Sequence, residues 1–464
     1  MTCLAACTLS DIYGHVLNAQ VISALSVSAP IARDVIYLAS RAIPLLAIAF
    51  IVPLILSPKT AKRLSAASGV LAVAGCALMF ASLAMPQGAT TLITFAFALL
   101  CIGGTWYNTL PILMLCRLTS FGNVALCACV AYAVSGIVSS AVDTFGLDIQ
   151  YALLGLLPLA QLALANSSLH DYADLNARST HIRELELQNA HSFVSVTNPA
   201  FICVFIFHCV SGFALALNCV SGVPVHSILP SVLVVAFVGA AFLWSREHAA
   251  VDSIAGIAAF CVICGFLTAI VFINQAPVLA SNIALTTGSG LLSILETLIM
   301  VSMGKRNPIG ALRVIALGKT FTTAGALVGS ASGHFINAAT VSNQLVATSS
   351  IAVILLMFLI LSYVWLRRFT FEKLIFEVEP VRAVEPLPTP PDELQSKCAV
   401  AAEKYGLTKR EVEICQMLAS GMTGKDIEQT CVISYNTVKT HVKHIYTKLD
   451  IHSQQELIEL IDKL

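Results

Sequence analysis

Residues 252–273 read DSIAGIAAFCVICGFLTAIVFI, and after Asp252 the run holds no charged side chain. A helix needs roughly 20 largely apolar residues to cross a bilayer, and this stretch has them. Its apolar residues do not keep to one stripe, so a helix formed here has no water-facing side. Cys261 and Cys264 sit inside the run, where thiols act as small hydrophobes and not as a redox or metal pair.

Ten more runs of this kind lie near 35–57, 64–85, 90–115, 122–143, 149–166, 200–221, 225–245, 278–303, 310–331 and 342–366. A twelfth, near 8–30, carries His15, Asn18 and Gln20, which a helix tolerates when they face a bundle interior. Composition agrees. The chain is 57% hydrophobic and 11% charged with a mean hydropathy of +0.84, against about 25% charged in ordinary globular domains. An ordinary soluble protein is excluded. The formal net charge is zero, so whole-chain charge points to no partner. The 15 cysteines lie mostly in or beside apolar runs and form no secreted disulfide framework. The first residues carry no basic region or cleavage site of a removable leader.

Most connections are short, but residues 167–199 are polar and of mixed charge, dividing the spans six and six. Within that segment Ser179–Asn189 reads as a short amphipathic surface helix. With the N-terminus inside, the inner face collects Lys59, Lys62, Arg63, Arg117, Arg178, Arg183, Arg246, Lys305, Arg306, Arg313, Arg367, Arg368 and Lys373. The outer face collects only Arg33 and Arg41. That asymmetry predicts two cytoplasmic termini in a multi-pass protein of the cell membrane.

Past the last span, Pro380, Pro386, Pro388, Pro390 and Pro391 fall close together and favour extended backbone. Three regions follow: a membrane domain over 1–370, a Pro-rich linker over 371–396, and a charged, soluble domain over 397–464. The last reads LTKREVEICQMLASGMTGKDIEQTCVISYNTVKTHVKHIYTKLDIHSQQELIELIDKL from Leu407. Thr408 with Glu411, and Ser453 with Glu456, have the spacing of reciprocal helix caps, and Thr423 with Asp426 is a shorter-armed relative. Ser434 caps a third helix, and Gly421 suits the left-handed turn that ends the first. In that third helix Val438, Val442, Ile445 and Leu449 form a buried stripe. Lys439, Thr440, Lys443 and Lys448 lie opposite, with His441 and His444 alongside, and no acid occurs from Ser434 to Leu449. A helix near 424–430 reaches it through a tight connection at Cys431–Ile433, the layout of a helix-turn-helix.

The fragments LTKREVE, GMTGKDI and ISYNTVKTHVKHI resemble the LuxR/NarL-type helix-turn-helix over about 60 residues. The resemblance implies double-stranded DNA as partner, with Lys439, Thr440 and Lys443 facing bases. It places Thr423, Ser434, Thr437, His441 and Lys448 at phosphates, and makes Gln454–Leu464 the element through which a homodimer forms. Glu428 stands where the family has a small Ala, and Cys431 where it has Leu.

The six-plus-six layout is similar to that of major-facilitator transporters, although the loop SPKTAKR (57–63) lacks the Gly and Asp of their basic motif. The fold class expected is therefore all-α: a bundle of about 12 spans followed by a small four-helix DNA-binding domain. Intramembrane polar residues mark ligand sites. Glu296 and Lys319, in consecutive spans at similar depth, are a candidate ion pair and ligand site together with Trp106 and Asn108. His208, Arg41 and Asp143 read instead as structural hydrogen bonds or headgroup contacts; His334 is a further polar position. No catalytic residue, metal site or cofactor is expected. Combined, these readings resemble membrane-bound regulators whose bundle senses a small molecule. The alternative is a secondary transporter carrying a DNA-binding domain.

Overall fold

The computed structural model describes every residue except 26–29, 119, 179–185, 190–191, 218, 221–222, 225–227, 245–248, 272–278, 343, 369, 372–377 and 379–390. Most of the proline-rich linker and part of the expected amphipathic helix at 179–189 lie outside the described residues. The chain divides into two compact units, one of residues 1–177, 196–305 and 311–375, the other of 178–195, 306–310 and 376–464.

The first unit is built from α1 (Thr2–Leu25), α2 (Pro30–Phe50), α3 (Val52–Ile55), α4 (Pro58–Ala84), α5 (Ala89–Tyr107), α6 (Leu110–Leu115), α7 (Phe121–Val142) and α8 (Leu147–Arg178). It continues with α9 (Pro199–Leu217), α10 (Leu229–Trp244), α11 (Ala249–Val271), α12 (Leu279–Arg306), α13 (Ala311–Ser342) and α14 (Gln344–Arg368). Among the described residues the only strands are two-residue ones, Cys219–Val220 paired antiparallel with Val223–Pro224. Among the described residues, seven helices are long and apolar enough to cross a membrane, and shorter apolar helices cover Val35–Phe50, Pro199–Phe213, Leu229–Trp244 and Leu345–Leu361. The run from 252–273 appears as α11. Large apolar side chains such as Val70, Phe95, Leu126, Phe260 and Met357 are exposed on the outside of the bundle. A water-facing surface does not carry so many, whereas a lipid-facing one requires them. This is a membrane protein.

Two local features differ from the linear reading. The basic stretch 57–63 is not a loop: Pro58 opens α4, and the Ser57 hydroxyl accepts the Thr60 N–H at 3.3 Å. Proline at the first helical turn and serine before it are a start signal, so Lys59, Lys62 and Arg63 belong to the helix. The expected span 90–115 is broken into α5 and α6 at Asn108–Thr109. Pro111 causes the break, since it has no N–H to give Tyr107 and its ring crowds that carbonyl.

Close packing of α9 on α13 fixes the second half of the bundle. A Cβ on Gly329 would collide with the Cys209 carbonyl, and one on Gly325 with that of Phe205, so only glycine lets the two backbones approach.

The second unit contains α15 (Pro391–Tyr405), α16 (Lys409–Ala419), α17 (Gly424–Cys431), α18 (Tyr435–Leu449) and α19 (Gln454–Asp462). Helix α15 starts inside the stretch read as linker. It does so because Leu394, Cys398 and Ala401 are buried in the same apolar cluster as Ile414, Leu418 and Val438. The four helices α16–α19 are those the sequence predicts, and among the described residues α15 packs onto their core.

Candidate nucleic-acid interface and intramembrane polar cluster

Each helix of the DNA-binding region starts on a side-chain cap. Thr408 accepts the Glu411 N–H while Glu411 accepts the Thr408 N–H at 2.7 Å, and Thr423 and Asp426 form the same reciprocal box. Ser434 accepts the Thr437 N–H at 3.2 Å, and Ser453 that of Glu456, also at 3.2 Å. The Glu456 carboxylate takes the N–H of His452 at 2.8 Å, one residue before the cap. Gly421 has φ 83°, the left-handed turn anticipated from its position. A buried Gln454, which the sequence did not flag, donates to the carbonyls of Leu418 at 2.8 Å and Met422 at 3.2 Å. It ties α19 to the end of α16.

The turn between α17 and α18 is made by Val432, an exposed residue at φ 52°. Left-handed backbone on a β-branched side chain costs roughly 1–2 kcal/mol. Glu428 offsets part of this. Its carboxylate accepts the Tyr435 N–H at 3.0 Å, satisfying one of the open amides at the start of α18. This acid thus acts as a second cap. Cys431 lies with its sulfur 4.0 Å from that of Met417, and its carbonyl receives Arg410 at 3.0 Å.

On α18, Val438, Val442, Ile445 and Leu449 are buried, joined by Tyr446. Asn436, Thr437, Lys439, Thr440, Lys443 and His444 are exposed. Thr440 donates to the Asn436 carbonyl at 3.0 Å, which holds its methyl and hydroxyl in one rotamer. Thr423, Ser434 and Thr437 are engaged in caps: Thr423 donates to Asp426 at 2.6 Å, and the Ser434 and Thr437 hydroxyls are 2.8 Å apart. His441 is half-buried on the flank.

Lys448 also has partners within the domain. Its ammonium donates to Glu411 at 2.7 Å and to the Gly406 carbonyl at 3.0 Å, inside the domain. Burial would raise the Glu411 carboxyl, but Lys448 and the Thr408 cap outweigh it and hold the group at about 2. The reason is angular: Lys448 lies beside the buried stripe near the end of α18, where it reaches α16 and not the open face.

In the bundle, Glu296 on α12 is 2% exposed and meets three side chains. His208 Nε2 lies 3.0 Å from Oε2, Lys319 Nζ lies 3.5 Å from Oε1, and the Thr322 hydroxyl donates to Oε1 at 2.7 Å. The expected Glu296–Lys319 contact is present. His208, read from sequence as a structural hydrogen bond, is the nearer of the two ionisable partners, and its Nδ1 faces the Val204 carbonyl at 3.0 Å. The signal available was its depth in α9, but only the α9–α13 packing brings it to Glu296.

Lys319 also borders a cavity of about 100 Å³ lined by Ser10, Asp11, Asn108, Tyr132 and Thr297 among others. Asn108 reaches it from the α5–α6 break and accepts the Ser10 hydroxyl at 3.1 Å. Trp106 does not line it; its indole donates to Ser65 at 3.0 Å, on α4. Asp143 faces His15 at 2.8 Å. Arg41 stacks over the Tyr37 ring at 5.0 Å.

The family model GerE, "Bacterial regulatory proteins, luxR family", matches residues 406–461. The C-terminal domain is a LuxR-family helix-turn-helix, and the chain is a membrane protein carrying it. The "Oxygen regulatory protein NreC" of Staphylococcus haemolyticus (strain JCSC1435) is 47% identical over 53 residues, 11% of this chain and 24% of that protein. The "Uncharacterized response regulatory protein YgeK" of Escherichia coli (strain K12) is 40% identical over 72 residues, 15% of this chain and 49% of that one. The chain thus spans about a quarter of the length of the first of these relatives and about half of the second. Among solved structures, the crystal structure of the major facilitator superfamily transporter FucP in the outward conformation aligns over 80% of this chain and 99% of its own, at 14% identity and TM-score 0.39.

Proposed function

We propose that this protein is a one-component membrane regulator. Its bundle binds a small-molecule signal, and its helix-turn-helix binds promoter DNA in the cytoplasm as a dimer. The observation that carries the reading is a LuxR-family domain with an exposed, acid-free α18 face, continuous in one chain with a lipid-facing bundle. Lys439, Thr440 and Lys443 read bases; Thr437 and His441, with the capped ends at Thr423 and Ser434, approach phosphates. Lys448 serves the fold. The outward side of α19, with Glu459, supplies the dimer contact. Glu296, Lys319 and Asn108 belong to the signal site, in which a buried ion pair is costly to keep unless it is used.

The test is selection of genomic fragments by the full chain in lipid nanodiscs. A common sequence should be enriched, and Lys439→Ala should weaken its binding by about 1–3 kcal/mol with relaxed specificity at one base pair. Absence of any enriched sequence overturns the reading. Reporters joined at the C-terminus and near Asn176 should both be active only in the cytoplasm; opposite signs overturn the topology.

A further inference from the structure

The second unit contains more than the DNA-binding domain. It includes the described part of the segment that joins α8 to α9, and that segment meets the recognition helix. Glu186 places Oε1 3.0 Å from Lys439 Nζ. The next residue, Leu187, is 2% exposed and belongs to the apolar cluster that holds Leu394, Cys398, Ile414 and Val438. The two contacts differ in kind, one ionic and one apolar, and together they fix a short helical turn at 186–188 on this domain. The same segment is anchored further along, where Asn307 Nδ2 donates to the Ser192 carbonyl at 2.9 Å.

We propose that residues 186–189 are an autoinhibitory strap that occupies the DNA-reading face. A carboxylate on Lys439 fills the position of a base or phosphate acceptor, and both cannot be held at once. The α18 sequence has no acid of its own, so the chain supplies one from outside the helix. Leu187 gives the strap its affinity, and Glu186 directs it to the residue that reads sequence. The strap runs covalently between α8 and α9, and Asn307 lies between α12 and α13. This rests on the DNA-binding reading above.

The experiment uses the full chain in nanodiscs without added signal, and a fluorescent duplex of random sequence at low salt. A competitor that occupies the binding-competent state lowers apparent affinity by the fraction it blocks, so Glu186→Gln should tighten DNA binding about threefold and Leu187→Ser about tenfold. Acetylation of Lys439, followed by mass spectrometry, should be slow relative to Lys443 in the unaltered protein and equal to it in Glu186→Gln. Protection of the buried Cys398 and Cys415 from thiol reagents shows whether Leu187→Ser keeps its fold; if it does not, Glu186→Gln alone decides. Equal affinities for the unaltered protein and Glu186→Gln overturn the strap and leave DNA binding standing. Failure of all three proteins to bind DNA overturns both.

Discussion

Glu411 and Glu296 are both buried glutamates beside a lysine, at 4% and 2% exposure. Glu411 caps the first turn of α16 through Thr408 and is held by Lys448 from α18. Half of its environment is local, three residues away. Glu296 has no such local partner; His208, Lys319 and Thr322 come from α9 and α13. A carboxylate at a helix start in a water-soluble domain is a common device for closing a fold. A carboxylate in the middle of a span is expensive and needs partners brought by packing. The same chemical pair therefore completes a local cap in one region and joins three helices in the other.

The comparison is most exposed at Glu296. Glu296→Gln strands Lys319 and should fall toward the lower end of about 3–5 kcal/mol lost, because Lys319 keeps 22% of its surface exposed. Lys319→Met should cost less, since His208 and Thr322 still hold the carboxylate. Combined, the two changes should recover part of the single losses in detergent melting experiments. Strictly additive losses would mean that the contact contributes nothing.

Glu411→Ala removes one arm of a cap and the Lys448 pair, at roughly 1–3 kcal/mol. Labelling of the buried Cys415 across a urea series reads this domain within the whole chain. The pH dependence has a definite sign. The folded carboxyl sits near 2 against an ordinary 4.5, so between these values the unfolded chain binds more protons. The stabilisation is complete above about pH 4.5 and is lost as pH falls toward 2. Glu411→Gln should flatten that slope; an unchanged slope would assign it to other carboxylates.

Smaller effects test the turn. Val432→Gly relieves left-handed strain and should stabilise the same domain by about 1 kcal/mol, with no change in DNA specificity. Glu428→Ala should cost about 0.5–1 kcal/mol by opening the α18 cap. Stabilisation by Glu428→Ala would show that the acid disturbs packing more than it caps.

The apolar runs, the reciprocal caps at Thr408 and Thr423, the glycine turn at Gly421 and the buried stripe of α18 were all legible in the sequence, whereas the Glu456 carboxylate closes on His452 and not on Ser453. Each depends on residues within one or two turns of each other, where periodicity and capping chemistry are local. The break at Asn108 was legible in principle from Pro111, but the long apolar run obscured it. What only the tertiary structure decided is the destination of side chains that reach between elements. Lys448 and Lys439 lie on one helix with the same charge, yet one is drawn inward to Glu411 and the other outward to Glu186. The contacts of His208 with Glu296 and of Trp106 with Ser65 are set in the same way. A side chain's partner is set by which backbone packs beside it, and glycines such as Gly329 that govern this packing leave no mark of which helix they will meet.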